Sequence, residues 1–191
     1  MKKIVFTCFL ACAALLISIS YNAKEAQALT HKPGDILVTN KTSFVGIAGH
    51  SAIVIDSKHV LHTSGWKSEP YPKVMTIKNW YKRYGNKVKV VRPNNANLGK
   101  KAANNAKKYF KGKKIPYSLK APLKGTKKTY CSQLVWYSYY KAGKTFKTNS
   151  VTFKNNFDHI TWSTPAMITP YDFSNSIEAK YNGFKLVDNK F

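Results

Sequence analysis

The residue of this chain best suited to covalent chemistry is Cys131, which opens a segment with helical periodicity. Leu134, Val135 and Tyr139 recur at the spacing of one helix face, and Gly143 is a suitable C-terminal stop. A cysteine in a first helical turn lies beside unpaired backbone N–H groups and the positive end of the dipole, which favour the thiolate. We therefore expect a lowered pKa and a nucleophilic thiol. A small buried hydrophobic residue is the alternative, and position alone does not separate the two.

A thiol nucleophile needs a base and a third group that orients the base. The five histidines of the chain are the candidates for the base, namely His31, His50, His59, His62 and His159. His50 is the strongest, because it follows Gly49 at the start of a run of β-branched residues that predicts a buried strand. His159 ranks well below it, since no glycine precedes it and its surroundings do not resemble a strand.

The elements around these residues predict how they are positioned. Residues 49–56 and 59–65 read as two strands of a hairpin, so His50 and His62 would lie side by side if they share a face. Further elements are predicted from periodicity and turn residues: strands within 34–40, 87–92 and 184–188, a short helix over 77–84, an amphipathic helix over 98–110 with a lysine face, a lysine-rich loop over 111–128, and a turn into a short helix after Ile168.

The N-terminus has the pattern of a secretory signal peptide. Lys2 and Lys3 precede an apolar run, and Ala26-Gln27-Ala28 matches the small-x-small cleavage pattern. We therefore predict a signal peptide over 1–28 and a single domain over 29–191, with a retained membrane anchor as the alternative. Cleavage removes Cys8 and Cys12, which leaves Cys131 without a disulfide partner. An unpaired thiol in an exported protein fits catalysis, but also burial or intermolecular pairing.

Net charge restricts the partners more than the chemistry. Residues 1–28 hold three lysines and one glutamate, so their removal lowers the net charge from +24 to +22. For an exported protein, such a density favours peptidoglycan, anionic wall polymers or anionic lipid headgroups as partners, and not nucleic acid. A merely soluble surface is the alternative.

Several short motifs together resemble a known superfamily. The segment Cys131-Ser132-x-Leu134-Val135-x-Tyr137-x-Tyr139 resembles the nucleophile helix of NlpC-like cell-wall peptidases, and Ile115-Pro116-Tyr117 resembles the segment before it. In those enzymes the Gly-His strand follows the cysteine, whereas Gly49-His50 precedes it here. The order Gly34-Asp35, Gly49-His50 and then Cys131-Ser132 is similar to the circularly permuted branch, which includes the YiiX-like hydrolases and the lecithin retinol acyltransferase-like proteins.

This resemblance implies an α+β, permuted papain-like fold, in which a small antiparallel sheet packs against the helix that carries the nucleophile. It also implies Cys131 as nucleophile, His50 as general base and, on the next strand, His62 as the third catalytic residue. YiiX-like members commonly have an acid at that place and the acyltransferase-like branch a histidine, so His62 leaves the substrate class open. Glu69 is the fallback orienting group if His62 points away.

Three functions remain open from the sequence. The leading hypothesis is a secreted, cell-wall-associated cysteine hydrolase that cleaves amide bonds in peptidoglycan peptides through an acyl-thioester. The second is a lipid-directed cysteine acyltransferase or lipase, and the third is a non-catalytic module that binds wall or membrane. We expect a monomer without cofactor or metal, because the histidines lack a second cysteine or a compact acidic cluster nearby.

Overall fold

The protein is described here from a computed structural model that covers residues 29–42, 49–154 and 157–191. The predicted signal peptide, with Cys8 and Cys12, lies outside these described residues. Within the described ranges, no helix combines the length and apolarity needed to span a membrane.

Eight strands and five helices follow one another in the described part of the chain. Their bounds are β1 Ile36–Thr39, β2 His50–Val54, β3 His59–His62, β4 Lys73–Thr76, α1 Ile77–Tyr84, β5 Val88–Pro93, α2 Ala96–Phe110, α3 Cys131–Tyr140, β6 Thr148–Lys154, β7 Phe157–Ser163, α4 Pro170–Ser174, α5 Ser176–Tyr181 and β8 Phe184–Asn189.

Six of the strands form one antiparallel sheet in the order β4-β3-β2-β1-β5-β8. Every residue of β1 and β2 is buried, so the prediction that the Gly-His strand is covered on both faces is confirmed. The strand that carries His50 precedes the helix that carries Cys131, which is the permuted order. The predicted α+β, permuted papain-like fold is confirmed.

Helix α3 is the most enclosed helix element of the described fold, because its side chains are buried from Cys131 to Tyr139. A helix that is buried all round belongs to a core, unlike an amphipathic surface helix. Its apolar side chains share one cluster with β2, β3 and α2 residues, which include Ile53, Leu61 and Phe110. Gly143 adopts φ 92° and ends the helix as predicted, with N–H bonds from Gly143 to Tyr140 O and from Lys144 to Tyr139 O.

Two glycines allow α2 to pack closely on the beginning of β1. A Cβ atom on Gly34 would lie 2.3 Å from the Gly99 Cα atom, and one on Gly99 would lie 2.7 Å from the Pro33 carbonyl oxygen. The Tyr139 hydroxyl of α3 donates a hydrogen bond to the Gly34 carbonyl. The turn before β1 therefore holds both α2 and α3 against the sheet.

The buried carboxylate of Asp35 is paired at this same place. Arg92 of β5 donates to both of its oxygens, at 2.7 Å each, and the Lys32 N–H donates at 2.8 Å. Because the carboxylate is fully buried, these charge-assisted bonds offset the cost of removing it from water.

Two regions differ from the sequence prediction. Strand β4 was not predicted, since its short sequence Lys-Val-Met-Thr carries little periodicity on its own. His159 lies in β7 and pairs with Thr152 of β6, so the judgement that its surroundings are not strand-like is wrong. The β-branched and aromatic residues of this segment favour strands, and the polar residues among them obscured that signal. The β6–β7 hairpin is a separate sheet from the one that carries His50.

Candidate active site

Cys131 is the first residue of α3, and its thiol is buried at 5% exposure. The residues on both sides of it bind Ile168. The Ser132 hydroxyl donates to the Ile168 carbonyl oxygen at 2.8 Å, and the Ile168 N–H donates to the Tyr130 hydroxyl at 3.2 Å. The beginning of the helix is therefore held from two sides, which fixes the direction of the thiol.

Gln133 connects the same helical turn to the loop before it, and the sequence analysis missed this role. Its side-chain oxygen accepts a hydrogen bond from the Thr129 hydroxyl at 2.6 Å. Its amide nitrogen donates to carbonyl oxygens of Pro122, Leu123 and Gly125 at 3.3, 3.0 and 2.8 Å. A buried glutamine directly after a Cys-Ser pair was the available signal, because a buried amide requires several partners.

His50 and His62 contact each other directly. The Nε2 atom of His50 lies 3.1 Å from the Nδ1 atom of His62. Strands β2 and β3 are aligned so that Ile53 faces Leu61. Since side chains alternate along a strand, this register turns both histidines to the opposite face from Ile53 and Leu61. The two histidines share a face of the sheet, so the expectation that they lie side by side is confirmed.

Aromatic rings of α1 enclose this pair. The His50 ring stacks on Trp80 with centroids 5.4 Å apart and an interplanar angle of 22°, and Tyr84 lies 5.6 Å away. Burial lowers the pKa of His50 well below its ordinary value, and electrostatic interaction with His62 and Arg83 lowers it further. Burial also lowers the pKa of His62 to about 4. Both imidazoles are therefore neutral at neutral pH.

The hydrogen bond between two neutral rings allows two tautomer pairs, because each ring carries one proton and either ring can donate it. In one pair, His50 Nε2–H donates to His62 Nδ1, and the proton of His62 is on Nε2, which makes no hydrogen bond to any described residue. In this arrangement the Nδ1 atom of His50 has a free lone pair, which a general base requires.

Glu69, the fallback orienting residue, binds other groups. Arg83 donates to its two carboxylate oxygens at 2.9 and 2.8 Å, Lys73 donates at 3.0 Å, and the Ser64 hydroxyl donates at 3.2 Å. The hydrogen bonds from Arg83 are the main cause that lowers the pKa of Glu69 to about 2. The ring partner of His50 is thus His62, and the Glu69 carboxylate is bound by cations.

The expected low pKa of Cys131 is wrong. Burial raises the pKa of the thiol and outweighs the opposing hydrogen bonds from the Ser51 N–H, the Ser132 hydroxyl and N–H, and the Ser51 hydroxyl. A helix N-terminus favours the thiolate, but a fully buried thiol also loses the solvation that its anion would have in water. The Cys131 thiol and the His50 imidazole are therefore both neutral at rest.

Cys131 and His50 line one pocket of about 370 Å³, within the range of small-molecule sites. Its walls are Thr42, Gly49, His50, Ser64, Gly65, Trp66, Tyr84, Tyr117, Leu119 and Cys131. Gly65 is required here, because it has φ 72° and a Cβ atom would lie 2.8 Å from the Tyr117 ring. Tyr117 also contacts Cys131, and the pKa of Tyr117 is raised by burial and by this neighbouring thiol.

Residues 29–42, 49–154 and 157–191 contain no group of three or more His, Cys, Asp or Glu side chains arranged to hold a metal ion.

Two individual proteins resemble this chain. An uncharacterized 30.3 kDa protein of Bacillus thuringiensis is 27% identical over 163 residues, which cover 80% of this chain and 55% of that protein. The chain thus spans about half the length of this curated relative. The crystal structure of metalloprotein YiiX from Escherichia coli O157:H7 aligns with a TM-score of 0.49 and 20% identity, over 64% of this chain and 73% of that chain.

The family comparison covers nearly the whole chain. Residues 1–184 match the model of a family described as "Lipoprotein N-acylation protein LnsA-like". This family match supports the resemblance to the circularly permuted papain-like superfamily. It belongs to the LnsA-like family.

Proposed function

We propose that this protein is a cysteine acyltransferase that takes an acyl chain from a membrane lipid and transfers it to the N-terminal amine of a lipoprotein. The observation that carries this proposal is the shared pocket, in which Cys131 and His50 face apolar walls that include Trp66 and Leu119. The family description favours transfer to an amine, and His62 matches the acyltransferase-like branch. We propose that this chemistry occurs outside the cell, after export.

In the first half-reaction, the Cys131 sulfur attacks the carbonyl carbon of an ester-linked acyl chain. Because the resting thiol is neutral, its proton moves to Nδ1 of His50 as the C–S bond forms. The resulting oxyanion is stabilised by backbone N–H groups of the first turn of α3. The C–O bond then breaks, the departing alkoxide takes the proton from His50, and the acyl group remains on Cys131 as a thioester.

In the second half-reaction, the neutral amine of the acceptor attacks the thioester carbonyl. His50 accepts a proton from the attacking nitrogen, the C–S bond breaks, and the proton returns to the Cys131 sulfur. The products are an amide and the free thiol, so the enzyme is regenerated without a co-reactant. Attack by water at this step would release a free fatty acid, which is the lipase outcome.

His62 supports both steps without adding charge. When His50 takes up a proton, its Nε2–H continues to donate to Nδ1 of His62 at the observed 3.1 Å. A neutral partner stabilises the imidazolium less than a carboxylate would, so His50 releases its proton readily to a leaving group. We propose Cys131 as nucleophile, His50 as general base and acid, and His62 as orienting residue.

The test uses vesicles of phosphatidylglycerol, with and without a diacylated lipopeptide that has a free N-terminal amine. Mass spectrometry should detect an acyl-thioester on Cys131 without acceptor, and triacylated lipopeptide with lysophospholipid when acceptor is present. The Cys131→Ser variant is the control and should give neither product. Free fatty acid alone would indicate a lipase. Soluble fragments released from purified peptidoglycan, with no lipid product, would restore the wall-amidase hypothesis and overturn this proposal.

A further inference from the structure

We infer that the lysine-rich segment 111–128, which contributes Tyr117 and Leu119 to the pocket, forms together with Trp66 a docking surface for a bilayer containing anionic lipid. We call the seven lysines of this segment the lysine rim. The inference rests on the proposed function for the reason why a bilayer would dock here, since an acyl donor embedded in a bilayer must reach Cys131. The physical evidence for docking is independent of that function and consists of the charge of the lysine rim and the exposure of Leu119 and Trp66.

The lysine rim is a concentrated and uncompensated positive charge. Residues 111–128 contain seven lysines and no acidic residue. These lysines are Lys111, Lys113, Lys114, Lys120, Lys124, Lys127 and Lys128, and all are exposed. None of them takes part in an ion pair with a described residue. Each lysine held near an anionic bilayer strengthens binding about fivefold.

The apolar residues of the mouth distinguish a bilayer from a soluble polyanion. Leu119 is 58% exposed and Trp66 is 44% exposed, yet both also line the pocket. Leu119 lies within the sequence of the lysine rim, and one face of the Trp66 ring is covered by the Arg83 guanidinium at 4.9 Å. An exposed leucine and tryptophan beside lysines match the interface of a membrane, where apolar groups enter the acyl region and cations remain at the headgroups. An anionic wall polymer offers no apolar phase for these two side chains.

Gln133 holds this surface in place. The carbonyl oxygens that its amide binds belong to Pro122, Leu123 and Gly125, which lie within the lysine rim segment. The segment is also attached by the bridge between Tyr117 and Thr129, directly before Cys131. Docking of the rim would therefore set the distance between the bilayer and the thiol.

The chain offers a matched control for total charge. Helix α2, none of whose residues lines the pocket, carries four lysines, Lys100, Lys101, Lys107 and Lys108. We compare two variants of the full chain with equal charge: a rim variant with Lys113→Gln, Lys114→Gln, Lys120→Gln and Lys127→Gln, and an α2 variant with the four α2 lysines changed to Gln. Circular dichroism checks that both are folded.

Co-sedimentation with phosphatidylcholine vesicles, with and without phosphatidylglycerol, measures binding. The rim variant should bind phosphatidylglycerol-containing vesicles at least tenfold more weakly than wild type, and the α2 variant less than threefold. Equal losses in both variants, or no loss in either, would overturn the inference. Binding of the wild type to a soluble polyphosphate but not to the vesicles would assign the rim to a wall polymer instead.

Depth-dependent quenching provides a readout that does not depend on how residues 1–28 interact with the vesicle. Brominated phosphatidylglycerol should quench tryptophan fluorescence of the wild type, and the Trp66→Phe variant should lose this quenched component. Unchanged quenching in Trp66→Phe would overturn the inference. Turnover of a soluble short-chain ester separates the docking inference from the proposed function. The rim variant should retain this turnover. If the wild type docks on vesicles but turns over neither the soluble ester nor the vesicle ester, only the proposed chemistry is rejected.

Discussion

Two buried polar groups lie side by side in this protein and are stabilised in opposite ways. The His50–His62 pair is buried without charge, joined by one hydrogen bond and covered by Trp80. The Glu69 carboxylate is buried with its charge, held by Arg83 and Lys73. Burial lowers the pKa of His62 to about 4, whereas hydrogen bonds from Arg83 lower that of Glu69 to about 2.

The difference shows how a buried histidine pair is kept neutral next to strong charges. Glu69 acts to raise the pKa of His62, and Arg83 and Lys73 act to lower it, so their electrostatic effects oppose each other. Burial is then the main influence on both imidazoles. An unpaired carboxylate at the position of Glu69 would instead favour protonated histidine and reduce the amount of free base at neutral pH.

The largest expected effect comes from removing either of the two groups proposed to react, the Cys131 thiol and the His50 imidazole. Cys131→Ser and His50→Ala should each lower acyl transfer by at least about a thousandfold, because a hydroxyl is a poorer nucleophile here and the base is lost. The double variant should be little worse than either single variant, since the two groups act together. Turnover is measured by mass spectrometry, and vesicle binding, which should persist but weaken with salt, serves as the control. Wild-type activity in Cys131→Ser would leave a binding module as the better description.

On acidification, His62 and Glu69 should lose their contributions to folding stability in different pH ranges. The pKa of His62 is about 4 in the folded state and 6.5 in a model peptide, so only the unfolded state gains its proton between these values. Stability should therefore be intact above pH 6.5 and fall as the pH decreases toward 4, by roughly 3 kcal/mol for His62 alone. Glu69, whose pKa is lowered, contributes stability that is lost only below pH 4.5.

Urea unfolding at a series of pH values measures this profile. A His62→Gln variant is the matched control, since it retains hydrogen-bonding groups but does not titrate, and its stability should change less between pH 6.5 and 4. An identical profile in wild type and His62→Gln would mean that the pair is not buried as a neutral unit.

A smaller effect is expected from removing the orienting ring. His62→Ala should lower turnover by about 10- to 100-fold, less than loss of His50, because it supports the base and does not touch the substrate. His62→Asp should move the acid limb of the pH–rate profile to higher pH, since a carboxylate beside His50 favours the imidazolium. A pH–rate profile that is the same in wild type and His62→Asp would contradict the contact between the two rings as the basis of this role.

The smallest effect is expected when the Glu69 carboxylate loses its Arg83 partner. Arg83→Met leaves the Glu69 carboxylate without its bidentate partner and should destabilise the fold by about 2 kcal/mol, a reduced figure because Arg83 is partly exposed. The loss of the Arg83 charge should also raise the pKa of His62, and the acid limb of the pH–rate profile should move to higher pH with it. Arg92→Met is the control: it breaks the buried pair with Asp35, neither member of which acts on the pKa of His50 or His62, and should cost stability without moving the pH–rate profile. A shift of similar size in both variants would show that the effect is general loosening.

Elements marked by capping residues, turns or β-branched runs in the local sequence were predicted correctly. Helix α1 has the predicted bounds Ile77–Tyr84, because Thr76 caps its first turn and Gly85 follows its last. Thr169 and Asp172 form a capping box that begins α4, as the turn after Ile168 indicated. The hairpin of β2 and β3 was also predicted, because its β-branched runs surround a short polar turn. The β6–β7 hairpin was missed, because its residues alternate irregularly between polar and apolar.

The sequence by itself determined the order of the motifs, the helix that begins at Cys131 and the candidate set of Cys131, His50 and His62. Only the tertiary structure decided how these groups are protonated and held. The register of β2 against β3 put His50 and His62 in contact, and the packing around α3 buried the Cys131 thiol so that its pKa is raised. The partners of Glu69 and Gln133 come from distant segments. Solvation and long-range pairing depend on every element that covers a group, so residue type and spacing along the chain do not specify them.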